Sequence, residues 1–151
     1  MTNKVGELLN IEQILQKYFG FEDFRPNQRQ IIEYILEGKD LLGVLPTGGG
    51  KSLCYQLPAL VFKDLTIVIS PLISLMKDQV DSLREQGIKA ELLNSTLSID
   101  EMKQIETKVE KGEVKILYIA PERLDSDYFI NWINRFNISL LAIDEAHCVS
   151  Q

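Results

Sequence analysis

The sequence predicts an α/β fold: a mostly parallel sheet with helices on both faces, preceded by a short helical segment. Three observations lead there. Apolar runs rich in β-branched residues at 65–70, 114–120 and 139–143, with shorter candidates at 41–45 and 90–93, read as buried strands. Segments with apolar residues at helical spacing alternate with those runs, which implies βαβ units. The strand candidates also end in motif-like groups: a glycine run, Ser70-Pro71, Ala120-Pro121 and Asp144-Glu145. Parallel sheets bind ligands beyond the carboxyl ends of their strands, so these groups gather on one edge.

Taken in order, Asn10 caps a first helix carrying Ile11, Ile14, Leu15 and Tyr18, and Gly20 ends it. Pro26 fits the first turn of a second helix, where its missing N–H costs nothing. That helix presents Ile31, Ile32, Ile35 and Leu36 and stops at Gly38. Residues 1–38 therefore form a helical segment, and 39–151 the α/β domain. Lys51-Ser52 opens a helix after the strand candidate at 41–45. Leu72, Leu75, Met76, Val80 and Leu83 mark the next, closed by Gly87. Ser98 and Glu101 form a capping-box pattern before Ile99, Met102, Ile105 and Val109, and Gly112 closes that helix. Tyr128, Phe129, Trp132, Ile133 and Phe136 have helical spacing ahead of a last buried strand at 139–143.

With 151 residues the chain has one domain's worth of core. No stretch has the continuous apolar length of a transmembrane helix, and Met1-Thr2-Asn3-Lys4 lacks a signal-peptide core, so the expectation is cytoplasmic, with no membrane. A net charge of −6 argues against a broad basic surface for nucleic acid, though not against a narrow groove using backbone N–H groups and a few lysines. Cys54 and Cys148 read as reduced and structural.

The strongest chemical signal is Pro46-Thr47-Gly48-Gly49-Gly50-Lys51-Ser52 between a strand and a helix N-terminus. Residues without side chains let backbone N–H groups face anionic oxygens, and the helix end adds partial positive charge. Lys51 would neutralise the β- and γ-phosphates, and the Ser52 hydroxyl would ligate Mg²⁺. The general P-loop pattern has glycine where Leu45 stands, so the match is to a variant form. At the tip of the last strand, Asp144 would hold Mg²⁺ opposite Ser52, and Glu145 would orient or deprotonate the attacking water. His147 would couple the γ-phosphate to a second site, or serve as a hydrogen-bonded structural residue.

The other segments carry two readings each. Gln28 offers a donor and an acceptor suited to adenine N6 and N7, and Phe21 or Arg25 would cover a base face. The same residues also read as a plain helix start with core aromatics. Ser70, Pro71 and Lys77 make a helix N-terminus able to hold a nucleic-acid phosphate, or an ordinary capped helix. Asn94 and Arg123 sit at similar strand ends, where Arg123 would serve a phosphate or an ion pair.

Jointly, these segments resemble the first RecA-like domain of RecQ-family DNA helicases of superfamily two. Phe19-Gly20-Phe21, followed by Phe24-Arg25-Pro26-Asn27-Gln28, is similar to the family's adenine motif. Leu45 to Ala59 resembles motif I, Ser70 to Gln79 motif Ia, Tyr118 to Leu124 motif Ib, and Asp144 to Gln151 motif II. The resemblance implies a P-loop NTPase using ATP and Mg²⁺, with 3′-to-5′ unwinding of DNA in repair, recombination or replication. It further implies that the sheet is truncated on its C-terminal side, before a coupling loop and a second RecA-like domain with an arginine finger. Such a finger is worth roughly 10³–10⁵ in rate, so the chain alone is expected to bind nucleotide at best and not to unwind DNA. The rivals are an RNA-remodelling DEAD/DEAH-box helicase, a nucleotide-regulated binding module and a small-molecule P-loop kinase.

Overall fold

A computed structural model describes residues 10–38 and 50–144. The strand candidate at 41–45, Pro46, Thr47, Gly48, Gly49, Glu145, His147 and Cys148 lie outside the described residues. The described residues fall into two compact units that divide between Lys63 and Asp64.

In the first unit, α1 (Ile11–Ile14) starts with the capping box of Asn10 and Gln13 and widens into a π-helical turn at Leu15–Phe19. Gly20 ends it with φ 75°, a left-handed conformation that costs glycine no side-chain clash. Ile14 and Leu15 are buried. Helix α2 (Gln28–Leu36) begins two residues later than the Pro26 expectation. The reason is Asn27, which takes φ 72° and so cannot belong to a right-handed helix. The backbone turns instead, with Gln28 N–H donating to the Arg25 carbonyl at 3.1 Å. Helix α3 (Leu53–Val61) packs against α2 and is buried from Leu53 to Leu60, as a helix apolar on nearly every side must be. It accommodates Pro58 in its interior, at the cost of one backbone hydrogen bond.

The second unit holds four parallel strands, β1 (Leu65–Ile69), β2 (Ala90–Leu93), β3 (Ile116–Ile119) and β4 (Ile138–Ile143), in the order β2-β3-β1-β4. Helices α4 (Ile73–Glu85), α5 (Ile99–Glu110) and α6 (Asp127–Ile133) join them, with a short 3₁₀ turn at Pro121–Asp125. Every residue of β1 and β3 is buried, the pattern of a sheet covered on both faces. One face places Leu65, Ile67, Ile69, Leu93, Leu117 and Ile119 against Ile105 and Val109 of α5 and Phe129, Trp132 and Ile133 of α6. Along β2, the α4 residue Arg84 donates to the Ala90 carbonyl at 2.9 Å. Glu91 accepts both from Arg84 and, at 3.0 Å, from Lys108 of α5.

The glycine stops behave as anticipated: Gly87 and Gly112 both take positive φ just past their helices. The last strand does not. It was expected to be buried, yet Leu141 and Ile143 are each 57% exposed. Among the described strands β4 lies at the sheet margin, so only β1 flanks it. Its register shifts near Ser139, whose hydroxyl accepts from the Asp64 N–H at 2.9 Å. No described helix is long and apolar enough to cross a membrane.

Candidate functional site: a P-loop helix start and a row of strand ends

Gly50, Lys51 and Ser52 lead directly into α3, with Gln56 N–H donating to the Ser52 carbonyl at 2.9 Å. Gly50 has φ 73°. Ser52 makes no side-chain capping bond to its helix, although serine commonly does. A hydroxyl not spent on capping, beside Lys51 at a helix start, fits a phosphate and its Mg²⁺.

The structure joins this helix start to the Arg25-Gln28 segment. Gln28 is buried, its Oε1 accepting from the Arg25 N–H at 2.8 Å and its Nε2 donating to the Gly50 carbonyl at 3.0 Å. The approach is so close that a Cβ on Gly50 would stand 2.2 Å from Gln28 Nε2. Two of the amide's four hydrogen-bonding positions are thus committed to backbone, leaving one N–H and one oxygen lone pair without a partner among the described residues. Phe21 and Arg25 are both exposed. An open pocket of about 410 Å³ is lined by Glu12, Glu22, Asp23, Phe24, Arg25 and Arg29. Within it the Arg29 guanidinium lies 5.3 Å from the Phe24 ring centre and pairs with Glu12 and Glu33. The Arg29–Glu33 pair was legible as an i,i+4 spacing; the arginine over Phe24 was not.

Cys54, in the first turn of α3, is buried, and burial pushes its thiol from 9.0 up to about 11. Its Sγ lies 3.9 Å from the same Gly50 carbonyl.

In the second unit the strand ends line up through successive backbone bonds. Ala120 N–H donates to the Leu93 carbonyl at 3.0 Å, Ser70 N–H to Ile119 at 3.3 Å and Asp144 N–H to Ile69 at 2.8 Å. Asp144, Ser70, Ala120 and the start of the Asn94 loop therefore share one edge, as parallel strands require. Asp144 is buried.

The candidate nucleic-acid residues divide by exposure. Lys77 is exposed and Pro71 partly so. Ser70 is only 1% exposed, and its hydroxyl accepts from the Leu72 N–H at 3.3 Å. Asn94 is 4% exposed, with Oδ1 accepting from Thr96 N–H at 2.9 Å and Thr96 Oγ1 at 2.6 Å. These two side chains shape their own loops. Arg123 reaches back to the Asn94 carbonyl at 2.7 Å and to the Met102 sulfur at 2.8 Å. Met102 read only as a core position in the sequence, and nothing there marked it as a partner of Arg123.

The family model described as DEAD/DEAH box helicase matches residues 25–151. The chain is 46% identical, over its whole length, to the ATP-dependent DNA helicase RecQ of Haemophilus influenzae, of which it covers 24%. It is 50% identical to the proteins of the same name from Pasteurella multocida and Bacillus subtilis, across 91% and 93% of this chain and 22% and 24% of theirs. The chain thus spans about a quarter of the length of the relatives it matches. Among solved structures, the DUF1998 helicase MrfA bound to DNA and AMPPNP superposes with a TM-score of 0.75 at 25% identity, over 91% of this chain and 21% of MrfA. With a P-loop helix start, a parallel sheet and an acidic strand end in one sequence that matches over residues 25–151, the chain belongs to the DEAD/DEAH box helicase family.

Proposed function

We propose that this chain is the ATP-binding portion of a RecQ-type, ATP-dependent 3′-to-5′ DNA helicase acting in repair, recombination or replication. The observation that best supports the reading is the bond from the Gln28 amide to the Gly50 carbonyl, which would set a purine-compatible amide beside the proposed phosphate cradle. The N–H and lone pair left on that amide match adenine N7 and N6. Phe21 and Arg25, both exposed, stack on the base. Pro46, Thr47, Gly48, Gly49 and Gly50 wrap the phosphates, Lys51 neutralises them, and Ser52 and Asp144 hold Mg²⁺. Glu145 orients the attacking water, and His147 passes γ-phosphate occupancy to the nucleic-acid edge. Identity of 46–50% to proteins named ATP-dependent DNA helicase RecQ supports DNA as the partner and the cytoplasm, or a bacterial nucleoid, as the location. A single strand crosses the edge near Ser70, Pro71, Lys77, Asn94 and Arg123. The charge stabilisation needed for turnover comes from a second RecA-like domain, so the chain by itself binds nucleotide without unwinding DNA.

The test is a titration of the chain with a fluorescent ADP analogue and Mg²⁺, beside Lys51→Ala, in competition with ATP and GTP. Saturable binding that the variant loses and that ATP displaces better than GTP supports the reading. Binding indifferent to Lys51, or equal displacement by GTP, overturns it. DNA-stimulated ATP hydrolysis by the chain alone overturns the assignment of turnover to a second domain.

A further inference from the structure

Arg123 stands where a strand-end arginine would meet a nucleic-acid phosphate, but its guanidinium is engaged elsewhere. Nη2 carries two hydrogens; it lies 2.7 Å from the Asn94 carbonyl and 2.8 Å from the Met102 sulfur. Nε is buried and has no hydrogen-bond partner among the described residues. Bidentate phosphate recognition needs two adjacent N–H groups presented along one edge of the fork. With Nη2 occupied and Nε inaccessible, neither edge is complete.

The contacts of Arg123 instead connect three elements of one sheet edge. Its own backbone belongs to the 3₁₀ turn after β3. Asn94 begins the loop after β2, and its side chain holds Thr96. Met102 lies on α5, which follows that loop. Asn94 is itself buried, so its carbonyl needs a protein donor, and Arg123 supplies one.

We propose that Arg123 is a positioning residue: it clamps the Asn94–Leu97 loop and the start of α5 to the turn after β3, setting the shape of the edge that nucleic acid crosses, and does not itself neutralise a phosphate. The functional half of this proposal rests on the nucleic-acid reading given above. A direct phosphate ligand and a clamp differ in two ways. Losing a phosphate ligand weakens the dependence of affinity on salt, by about 0.7 in the log–log slope for a single strand. Losing a clamp loosens the loop even when no nucleic acid is present.

The experiment compares the intact polypeptide carrying this chain with its Arg123→Gln and Arg123→Lys variants. Amide hydrogen exchange is followed without DNA, and single-stranded oligonucleotide binding is measured across a salt series. The expected result is faster exchange at Thr96 and Leu97 in both variants, with a several-fold loss of affinity and an unchanged salt slope. Unchanged exchange in both variants overturns the clamp. A slope reduced by about 0.7 in Arg123→Gln and restored in Arg123→Lys overturns it in favour of a phosphate contact. If the parent binds no oligonucleotide, the nucleic-acid reading falls, and the exchange data still decide whether Arg123 holds the loop. Met102→Ala, which trims the sulfur contact and leaves the charge in place, covers the case in which an Arg123 variant fails to fold. It should speed exchange at the same residues, and unchanged exchange there also counts against the clamp.

Discussion

The side-chain amide of Gln28 holds the carbonyl of Gly50, 22 residues further along the chain, at 3.0 Å. This bond makes one structure of two segments that the sequence presents as separate motifs. It also explains why position 50 is glycine on two grounds at once. The backbone is left-handed there, and the amide occupies the space a side chain would need.

Gly50→Ala should therefore combine backbone strain with loss of the Gln28 bond. Strain of this kind costs about 1–3 kcal/mol, so the variant should unfold at a lower temperature and bind nucleotide more weakly. Gln28→Ala leaves the Arg25 N–H and the Gly50 carbonyl without their partner, at roughly 1–3 kcal/mol. Because both substitutions break the same bond, the double variant should lose less than the sum of the two singles. Thermal denaturation of the four proteins checks this, and strict additivity would show that the bond contributes nothing.

Cys54 should be a poor nucleophile. Burial pushes its thiol from 9.0 up to about 11, so at neutral pH it is almost wholly protonated as well as enclosed. A disulfide reagent at pH 8 should label it only as fast as the chain opens, with labelling accelerating in denaturant. The linkage has a definite sign. The folded chain holds this proton more tightly than the unfolded chain, so the associated stability is present below pH 9 and declines between 9 and 11. Chemical denaturation at pH 8, 10 and 11 measures that decline, and Cys54→Ala should flatten it.

Glu91 joins three elements of the second unit through Arg84 on α4 and Lys108 on α5. Its side chain is 11% exposed, whereas those of Arg84 and Lys108 are about half exposed. When Glu91 is replaced by Gln, both cations can turn to water, so the cost should be about 1 kcal/mol and not that of a stranded buried charge. The loss should shrink in high salt, because the pairs border solvent. Urea denaturation at low and high ionic strength tests both statements.

Ser98 accepts from the Glu101 N–H at 3.1 Å, and the Glu101 carboxylate returns the bond to the Ser98 N–H at the same distance. Ser98→Ala should destabilise α5 by about 0.5–2 kcal/mol. These contacts with Ser98, the backbone bond foremost, hold the Glu101 carboxyl below its ordinary 4.5. The stability linked to it is present above pH 4.5 and is lost as pH falls through the lower folded value. Ser98→Ala keeps the backbone N–H and so should keep the larger part of this pH dependence, whereas Glu101→Gln should abolish it, as read by denaturation at pH 3 to 6.

Much of this was legible before the fold was known, because it depends on neighbours in sequence. The caps at Asn10 and Ser98 and the stops at Gly20, Gly87 and Gly112 involve partners within about one helical turn. The buried strands β1 and β3 announce themselves as unbroken apolar runs. The start of α2 was misplaced by two residues because Pro26 permits a helix there, while the left-handed Asn27 that forbids it leaves no mark in composition. Burial of β4 was misjudged for another reason. An apolar run reports what a strand can bury, whereas its exposure depends on which strands and helices lie beside it.

The sequence by itself determined the alternation of strands and helices, the run of glycines ahead of Lys51 and Ser52, and the acidic end at Asp144. These follow from local backbone preference and from the period of apolar residues. Only the tertiary structure decided the order β2-β3-β1-β4, the inward turn of Ser70 and Asn94, the grip of Gln28 on Gly50 and the reach of Arg123 to Asn94 and Met102. The physical reason is competition for hydrogen bonds. A polar side chain that suits a nucleotide or a phosphate suits a protein group equally well. For Gln28 and Arg123 the group it meets lies tens of positions away and folding brings it within 3 Å, whereas Ser70 and Asn94 turn onto N–H groups two residues along.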